Sequence, residues 1–292
     1  MRCLFFLFFL LGIHHYGLAQ TINGVIVDSA TAQPIPYANV VLQDKNIGVS
    51  ASVDGKFEFN LENNTGAIVF SSVGYAEKAI NISELKSDTN VIVRLTQKAN
   101  ELEEIVLDYK KVRYSGTKTL GLPKKAKVST GLPFGNEICG YVKNTYHTKG
   151  LLKNVWLDIQ KESKADYIAA YNIKFYEYDD NLKKPGKALY NKNLVVIPEN
   201  KTYKFKVPVD SLDIIFPERG ICIGVEIINI KYTGKLKSMS IVGPRINFTH
   251  TPMEILSWSR FRNKDWKVDT HKSRVRKDFI NFLVGVDVVI EK

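Results

Sequence analysis

The sequence predicts an all-β protein built from two sandwiches, a small one followed by a larger one. Three observations carry this. Short runs rich in Val, Ile, Phe and Tyr recur between turn residues along most of the chain. No long amphipathic helical pattern interrupts them. A lysine-rich stretch with glycines and prolines separates the two groups of runs. The composition is that of a folded chain, with 292 residues of which 45% are hydrophobic and 24% charged. Three cysteines without a C-x-x-C pair exclude a zinc ribbon or a dense disulfide scaffold.

Residues 1–19 read as a secretory signal. Arg2 precedes an apolar run over 4–13, and the small residues Gly17 and Ala19 stand where a signal peptidase needs them before Gln20. The run is about half the roughly 20 residues of a membrane-spanning helix, so export and cleavage are expected rather than anchoring. Cys3 lies ahead of the run, which argues against lipidation.

Charge divides the exported part. Residues 20–107 hold 6 Lys+Arg against 11 Asp+Glu, a balance of −5, whereas residues 108–292 hold 34 against 19, a balance of +15. In a cytoplasmic protein the basic half would suggest nucleic acid. An exported chain meets anionic glycans, lipid head groups and envelope proteins instead, so no nucleic-acid partner is expected.

In residues 20–107, strand runs fall at 22–27, 38–42, 56–61, 67–72, 78–82 and 91–95. About seven strands in so short a segment suit a small β-sandwich. Asp54-Gly55 supplies a tight turn, and Phe57, Phe59 and Leu61 then alternate with polar residues, so a hairpin aiming its phenylalanines inward is expected. Pro34 and Pro36 belong to a loop, because proline cannot donate to a central ladder.

The run Ile22-Asn23-Gly24-Val25-Ile26-Val27-Asp28, then Thr31, Pro34-Ile35-Pro36-Tyr37-Ala38-Asn39-Val40, Gly48, Asp54-Gly55-Lys56-Phe57 and Ser72-Val73-Gly74-Tyr75, resembles the carboxypeptidase-regulatory-like domain family. The resemblance implies a seven-stranded prealbumin-like sandwich at the N-terminus of an exported Gram-negative protein, placed in the periplasm, at the outer membrane or outside the cell. It also implies a non-catalytic domain. In agreement, no His-x-x-Glu zinc pair occurs at His147, His250 or His271.

Leu102-Glu103-Glu104-Ile105-Val106-Leu107 closes this domain and is similar to the segment that precedes the plug in nutrient receptors carrying the same domain. An acidic, apolar extended segment suits addition to the edge of a partner sheet. The rest of the chain is too short for a plug and a large barrel, so the segment reads as a last strand or linker of the sandwich, with a docking strand for an accessory part of an envelope transport complex as the alternative.

Residues 108–134 carry clustered lysines with Gly116, Gly121, Pro123, Gly131 and Pro133, and no sustained periodicity, so they read as a basic linker. From 135 onward strand runs resume at 155–159, 173–178, 194–197, 203–207, 222–230 and 282–290. Tyr203, Phe205, Val207 and Val209 alternate with Lys204, Lys206 and Pro208, giving one apolar face and one solvated lysine face. A larger jelly-roll-like sandwich over 135–292 follows. An eight-stranded membrane barrel would need longer alternating strands and aromatic girdles. The stretch from Phe175 through Lys184-Pro185-Gly186-Lys187 to Glu226 is similar to C-terminal β-domains of envelope proteins without an assigned activity.

Cys139 and Cys222 lie in separate strand-like runs. If paired they would close a long loop worth roughly 4 kcal/mol; otherwise they are two buried thiols acting as small apolar groups.

The chain contains no Gly-x-Ser-x-Gly elbow, Walker loop or Gly-x-Gly-x-x-Gly fingerprint, so no catalytic residue, metal or cofactor is expected. The constellation that stands out is Trp258-Ser259-Arg260-Phe261-Arg262-Asn263-Lys264-Asp265-Trp266. Trp258 and Trp266 with Arg260 and Arg262 would make a stacking platform for an acidic glycan. Alternatively the tryptophans anchor the core while the charges face water. The expected function is non-enzymatic binding or scaffolding at the cell envelope through the C-terminal sandwich, with an anionic glycan or an envelope protein as partner and association with a membrane surface left open. The alternatives are the transport accessory and a glycan hydrolase whose two carboxylates meet only in the fold.

Overall fold

Along Lys56–Asn60 the computed structural model buries Phe57 and Phe59 and exposes Lys56 and Glu58, the period-two pattern of a half-buried strand. The structure describes residues 21–61, 65–85, 90–98, 112–125, 128–229, 241–252, 254–273 and 278–292. The expected signal over 1–19 and the docking strand over 102–107 lie outside these residues.

Seven strands form the N-terminal sandwich: β1 (Thr21–Asp28), β2 (Asn39–Leu42), β3 (Gly48–Ser50), β4 (Lys56–Asn60), β5 (Ala67–Ser71), β6 (Lys78–Asn81) and β7 (Val91–Leu95). They pair as a three-stranded sheet, β4-β1-β7, facing a four-stranded sheet, β3-β2-β5-β6. Ile22, Ile26, Val40, Phe57, Phe59, Phe70 and Val93 fill the space between them. The Asp54-Gly55 turn forms, with Gly55 at φ +68°. It does not close a hairpin, because β3 and β4 belong to different sheets and the chain crosses the core edge there. Asp28 ends β1 and accepts hydrogen bonds from the Ala30 and Thr31 N–H groups, Tyr75 Oη and Gln97 Nε2. The Thr31 N–H, the Gln97 side chain and the Ala30 N–H hold its carboxyl well below the usual carboxylate range.

The second sandwich packs a seven-stranded sheet on a nine-stranded one. The first runs in the order Lys184–Ala188, Ala170–Asp179, Gly220–Ile228, Asn136–Lys143, Ser257–Phe261, Lys267–Val268, with Leu194–Val196 also on Ala170–Asp179. The second is centred on Gly150–Gln160, which pairs with Val284–Ile290, Tyr203–Pro208, Ile215–Phe216 and Arg245–Thr251. Ile138, Ile173, Phe175, Ile223 and Val225 from one sheet meet Val155, Leu157, Phe248, Val284 and Val286 from the other in one filled core.

Part of the expected linker over 108–134 belongs to this sandwich. Lys118–Gly121 pairs with Val284–Ile290, and Val128–Thr130 pairs with Arg245–Thr251. These additions are four and three residues long, too short to show a period, and their partners lie more than a hundred positions away. Among the described residues no helix is long and apolar enough to cross a membrane.

Candidate functional site

Strand alternation sends half of each strand in the seven-stranded sheet away from the central core. On Asn136–Lys143 those residues are Glu137, Cys139 and Tyr141; on Gly220–Ile228 they are Cys222, Gly224 and Glu226; on Ala170–Asp179 they are Lys174, Tyr176 and Tyr178. Trp258 and Arg260 complete the face, opposite Cys139 and Glu137.

The charged half of this face is a buried network. Glu137 stands opposite Glu226, and Lys174 Nζ bridges them at 3.1 Å and 2.9 Å. Arg260 Nε donates to Glu137 Oε2 at 2.9 Å, and Arg260 Nη2 donates to Tyr176 Oη at 2.7 Å. Tyr176 Oη donates onward to Glu137 Oε1 at 2.8 Å. A side chain at Gly224 would sit 2.4 Å from Glu137 Oε1, so glycine keeps the space open. Burial opposes charge on Glu137, but Arg260 and Lys174 override it and hold the carboxyl below its usual range. Burial, with the Glu137 charge beside it, pushes the Tyr176 phenol well up.

Arg262 follows the strand with φ +51° and turns toward the N-terminal sandwich. Its Nη1 donates to Ser50 Oγ at 2.8 Å and to Asn39 Oδ1, and its Nη2 donates to Gly48 O at 3.1 Å. Burial lowers its guanidinium to about 10, opposed by Glu226. Lys264 Nζ donates to Lys45 O at 3.0 Å, and Asn193 Nδ2 donates to Pro36 O at 2.8 Å. The two sandwiches are therefore joined by donors from the second to carbonyls and hydroxyls of the first.

The four residues expected to form an open ligand platform do not form one. Trp258 is 2% exposed, in an outer apolar layer with Cys139, Tyr141, Tyr176, Cys222 and Leu256. Arg260 is committed to Glu137 and lies 4.1 Å over the half-buried Trp266 ring, and Arg262 bonds the other domain. The alternative, tryptophans in the core with the charges facing water, holds for Trp258, Asp265 and Lys267 but is corrected for Arg260 and Arg262. The register puts Glu137 and Glu226 beside them, and a paired charge is stable where a lone one is not.

Cys139 and Cys222 are both buried free thiols on this face, diagonal across neighbouring strands. Burial and the Cys222 hydrogen bond push the Cys139 thiol well above its ordinary range. Asp179, part of the acidic turn beside Asp180 and Asn181, accepts the Asn181 and Leu182 N–H groups. Among the described residues no group of three or more His, Cys, Asp or Glu side chains is placed to hold a metal.

A second feature lies on the outer face of the nine-stranded sheet. Trp156 stands opposite Gly285, and Cβ atoms added at Gly285 and Gly121 would fall 2.1 Å and 2.7 Å from its Cζ2. These two glycines are the bed on which the indole lies. Trp156 lines a cavity of about 280 Å³ with Thr119, Lys124, Asp158 and Lys204. Lys124 Nζ donates to both Asp158 oxygens at 2.8 Å and 2.6 Å, and Asn247 Nδ2 donates to Asp158 Oδ1 at 2.5 Å. Sequence reasoning missed this site because its residues come from four separate segments. The only local signal was the Trp156, Asp158 alternation within an apolar strand.

Residues 22–107 match the CarboxypepD_reg-like domain family. No curated protein matches the chain significantly. Among solved structures, the chain is similar to the cysteine protease and lectin-like domains of Cwp84, a surface layer associated protein of Clostridium difficile. Identity there is 11% and the TM-score 0.38, over 82% of this chain and 44% of that one. A clostridial Cwp84 after propeptide cleavage gives 11% identity and a TM-score of 0.39, over 82% of this chain and 50% of that one. This chain thus spans half or less of either protein, and likeness at that level carries no functional argument. The β4-β1-β7 and β3-β2-β5-β6 sandwich, bearing the Ile22 to Tyr75 motifs, belongs to the CarboxypepD_reg-like domain family.

Proposed function

We propose that this is a non-catalytic, exported cell-envelope protein that binds or scaffolds through its C-terminal sandwich, with the N-terminal domain as its fixed mount. The observation that carries the reading is Arg262, whose guanidinium leaves its own sandwich to bond Asn39, Gly48 and Ser50 of the other. Such a joint favours one rigid body over two tethered modules. The hydrolase alternative has a pair of carboxylates in Glu137 and Glu226, but both are buried and bridged by Lys174, with no room for a sugar between them. The lysine-rich surface of the C-terminal half suits an acidic partner, either a glycan or an envelope protein.

The test is a glycan array and an envelope-fraction pulldown with the intact protein, alongside product analysis of any glycan retained. Saturable capture of an acidic glycan or of one envelope protein without turnover is expected. Time-dependent cleavage of the glycan would replace this reading with an enzyme, and failure to retain anything would remove the binding role. Loss of a captured protein on deleting 101–107 alone would favour the transport accessory.

A further inference from the structure

We infer that the end of the C-terminal sandwich opposite the Arg262 joint is a membrane-contacting surface, its exposed apolar side chains entering the head-group layer of an anionic bilayer. This rests on the reading of the chain as an exported protein that binds through this sandwich, and it names the surface that the sandwich meets.

Strand register defines this end. Lys143 pairs with Gly220 and Tyr176 with Cys222, so Asn136–Lys143 and Ala170–Asp179 finish where Gly220–Ile228 begins. Ser257–Phe261 begins on the same side, since Ser257 pairs with Gly140. The connections 144–149, 180–183, 217–219 and 252–256 are therefore neighbours. Arg262, which holds the N-terminal domain, follows Phe261 opposite Asn136, at the other end.

The turns are fastened to one another. Asn144 Nδ2 donates to Thr148 O at 2.7 Å and to Pro217 O at 2.9 Å, and Tyr141 Oη donates to Arg219 O at 2.6 Å. Arg219 pairs with Asp180, and Lys143 pairs with Glu254. The Glu291 N–H donates to Lys149 O at 2.9 Å and the Lys292 N–H to Arg113 O at 2.9 Å, which brings 112–114 to the same end. From this fixed base five large apolar side chains stand out: Leu182 is 63% exposed, Val112 48%, Tyr146 and Ile255 44% each, and Tyr114 37%.

Their separation selects the partner. They stand on four segments with the Lys143–Glu254 and Arg219–Asp180 pairs among them, so they form neither a groove nor the continuous apolar centre of a protein interface. A bilayer is fluid at its head-group level and closes round single protruding side chains, taking up their apolar area while nearby cations stay among the lipid phosphates. Charge agrees. Among the described residues Arg113, Lys149, Lys183 and Lys184 make no ion pair, and Lys183 and Lys184 directly follow Leu182. Asp180 and Glu254 are taken by Arg219 and Lys143, and Asp179 accepts the Asn181 and Leu182 N–H groups of its own turn, which leaves Glu218 and Glu291 against those four cations.

The test is co-sedimentation of the intact protein with vesicles of phosphatidylethanolamine and phosphatidylglycerol, and with vesicles of phosphatidylcholine alone. Saturable, salt-sensitive binding to the anionic vesicles is expected, at least about tenfold weaker in Tyr146→Ser/Leu182→Ser/Ile255→Ser. Ile168→Ser/Ile197→Ser, which removes exposed side chains toward the other end of the sandwich, should bind like the wild type. A bimane dye on Leu182→Cys should shift to the blue on the anionic vesicles and one on Ile197→Cys should not, a readout that needs no loss of binding. Equal binding to phosphatidylcholine would overturn the role of charge, and an equal loss in the Ile168/Ile197 variant would overturn the location. Loss of a captured envelope protein in the triple variant, with no response to vesicles, would make this end a protein interface instead. Absence of vesicle binding while the array or pulldown still captures a ligand would overturn the membrane surface and leave the binding function standing. Silence in all three would remove the two together.

Discussion

Arg262 Nη1 donates to Ser50 Oγ across 2.8 Å, joining positions 212 residues apart and two separate hydrophobic cores. A Cβ at Gly48 would stand 2.6 Å from the Val40 carbonyl oxygen and 3.0 Å from Arg262 Nε, which is why glycine opens that strand.

Arg262→Ala is expected to separate the unfolding of the two sandwiches. Hydrogen bonds to a charged donor are worth about 1.5–3 kcal/mol each, and the partners on Asn39 and Gly48 would be left buried. Calorimetry should resolve two transitions where the wild type shows one. An unchanged single transition would show that the joint contributes nothing.

Lys174→Met should destabilise the C-terminal sandwich by about 3–5 kcal/mol, because it leaves Glu137 and Glu226 face to face in a buried layer. Urea unfolding followed by tryptophan fluorescence measures this. A loss under about 1 kcal/mol would mean that water or Arg260 compensates fully.

Asp28 gives the N-terminal sandwich an acid-sensitive joint. Its folded-state carboxyl is held below its ordinary value, so the stabilisation is complete above the unfolded value of about 3.9 and declines as pH falls from there toward the folded value. Asp28→Asn should lower stability at neutral pH and flatten the loss below about pH 4. Thermal midpoints of both proteins from pH 7 downward provide the check; parallel curves would count against the assignment.

The Cys139 and Cys222 thiols should resist an aromatic disulfide reagent in the folded protein and both react after unfolding, since both are buried and inaccessible and burial keeps the Cys139 thiol protonated. Intact mass after export tests the same pair. A mass lower by two hydrogens would show that the diagonal neighbours bridge in an oxidising compartment.

Much of the fold was legible locally. The period-two alternation of Phe57 and Phe59 and the Asp54-Gly55 turn are short-range signals, and six of the seven N-terminal strands fall where their Val, Ile and Phe runs stand. Gly48–Ser50 was not readable, because its three residues acquire a strand's geometry only from pairing with Asn39–Leu42. The same holds for Lys118–Gly121 and Val128–Thr130, which a lysine-rich, turn-rich stretch disguised as linker.

The candidate site was legible in its ingredients and not in its arrangement. The cluster from Trp258 to Trp266 announced aromatic and cationic groups close together. It could not announce that Glu137, Lys174 and Glu226 lie across the strands from it. By itself the sequence determined the all-β class and the two-sandwich order, because strand alternation and turn chemistry act over a few residues, while the Ile22 to Tyr75 motifs carried the family resemblance of the first domain. Tertiary structure alone decided that Arg262 is a joint, that Arg260 is interior and that Trp156 borders a cavity. Strand register sets those outcomes by choosing each side chain's cross-strand neighbours from segments far apart in the chain.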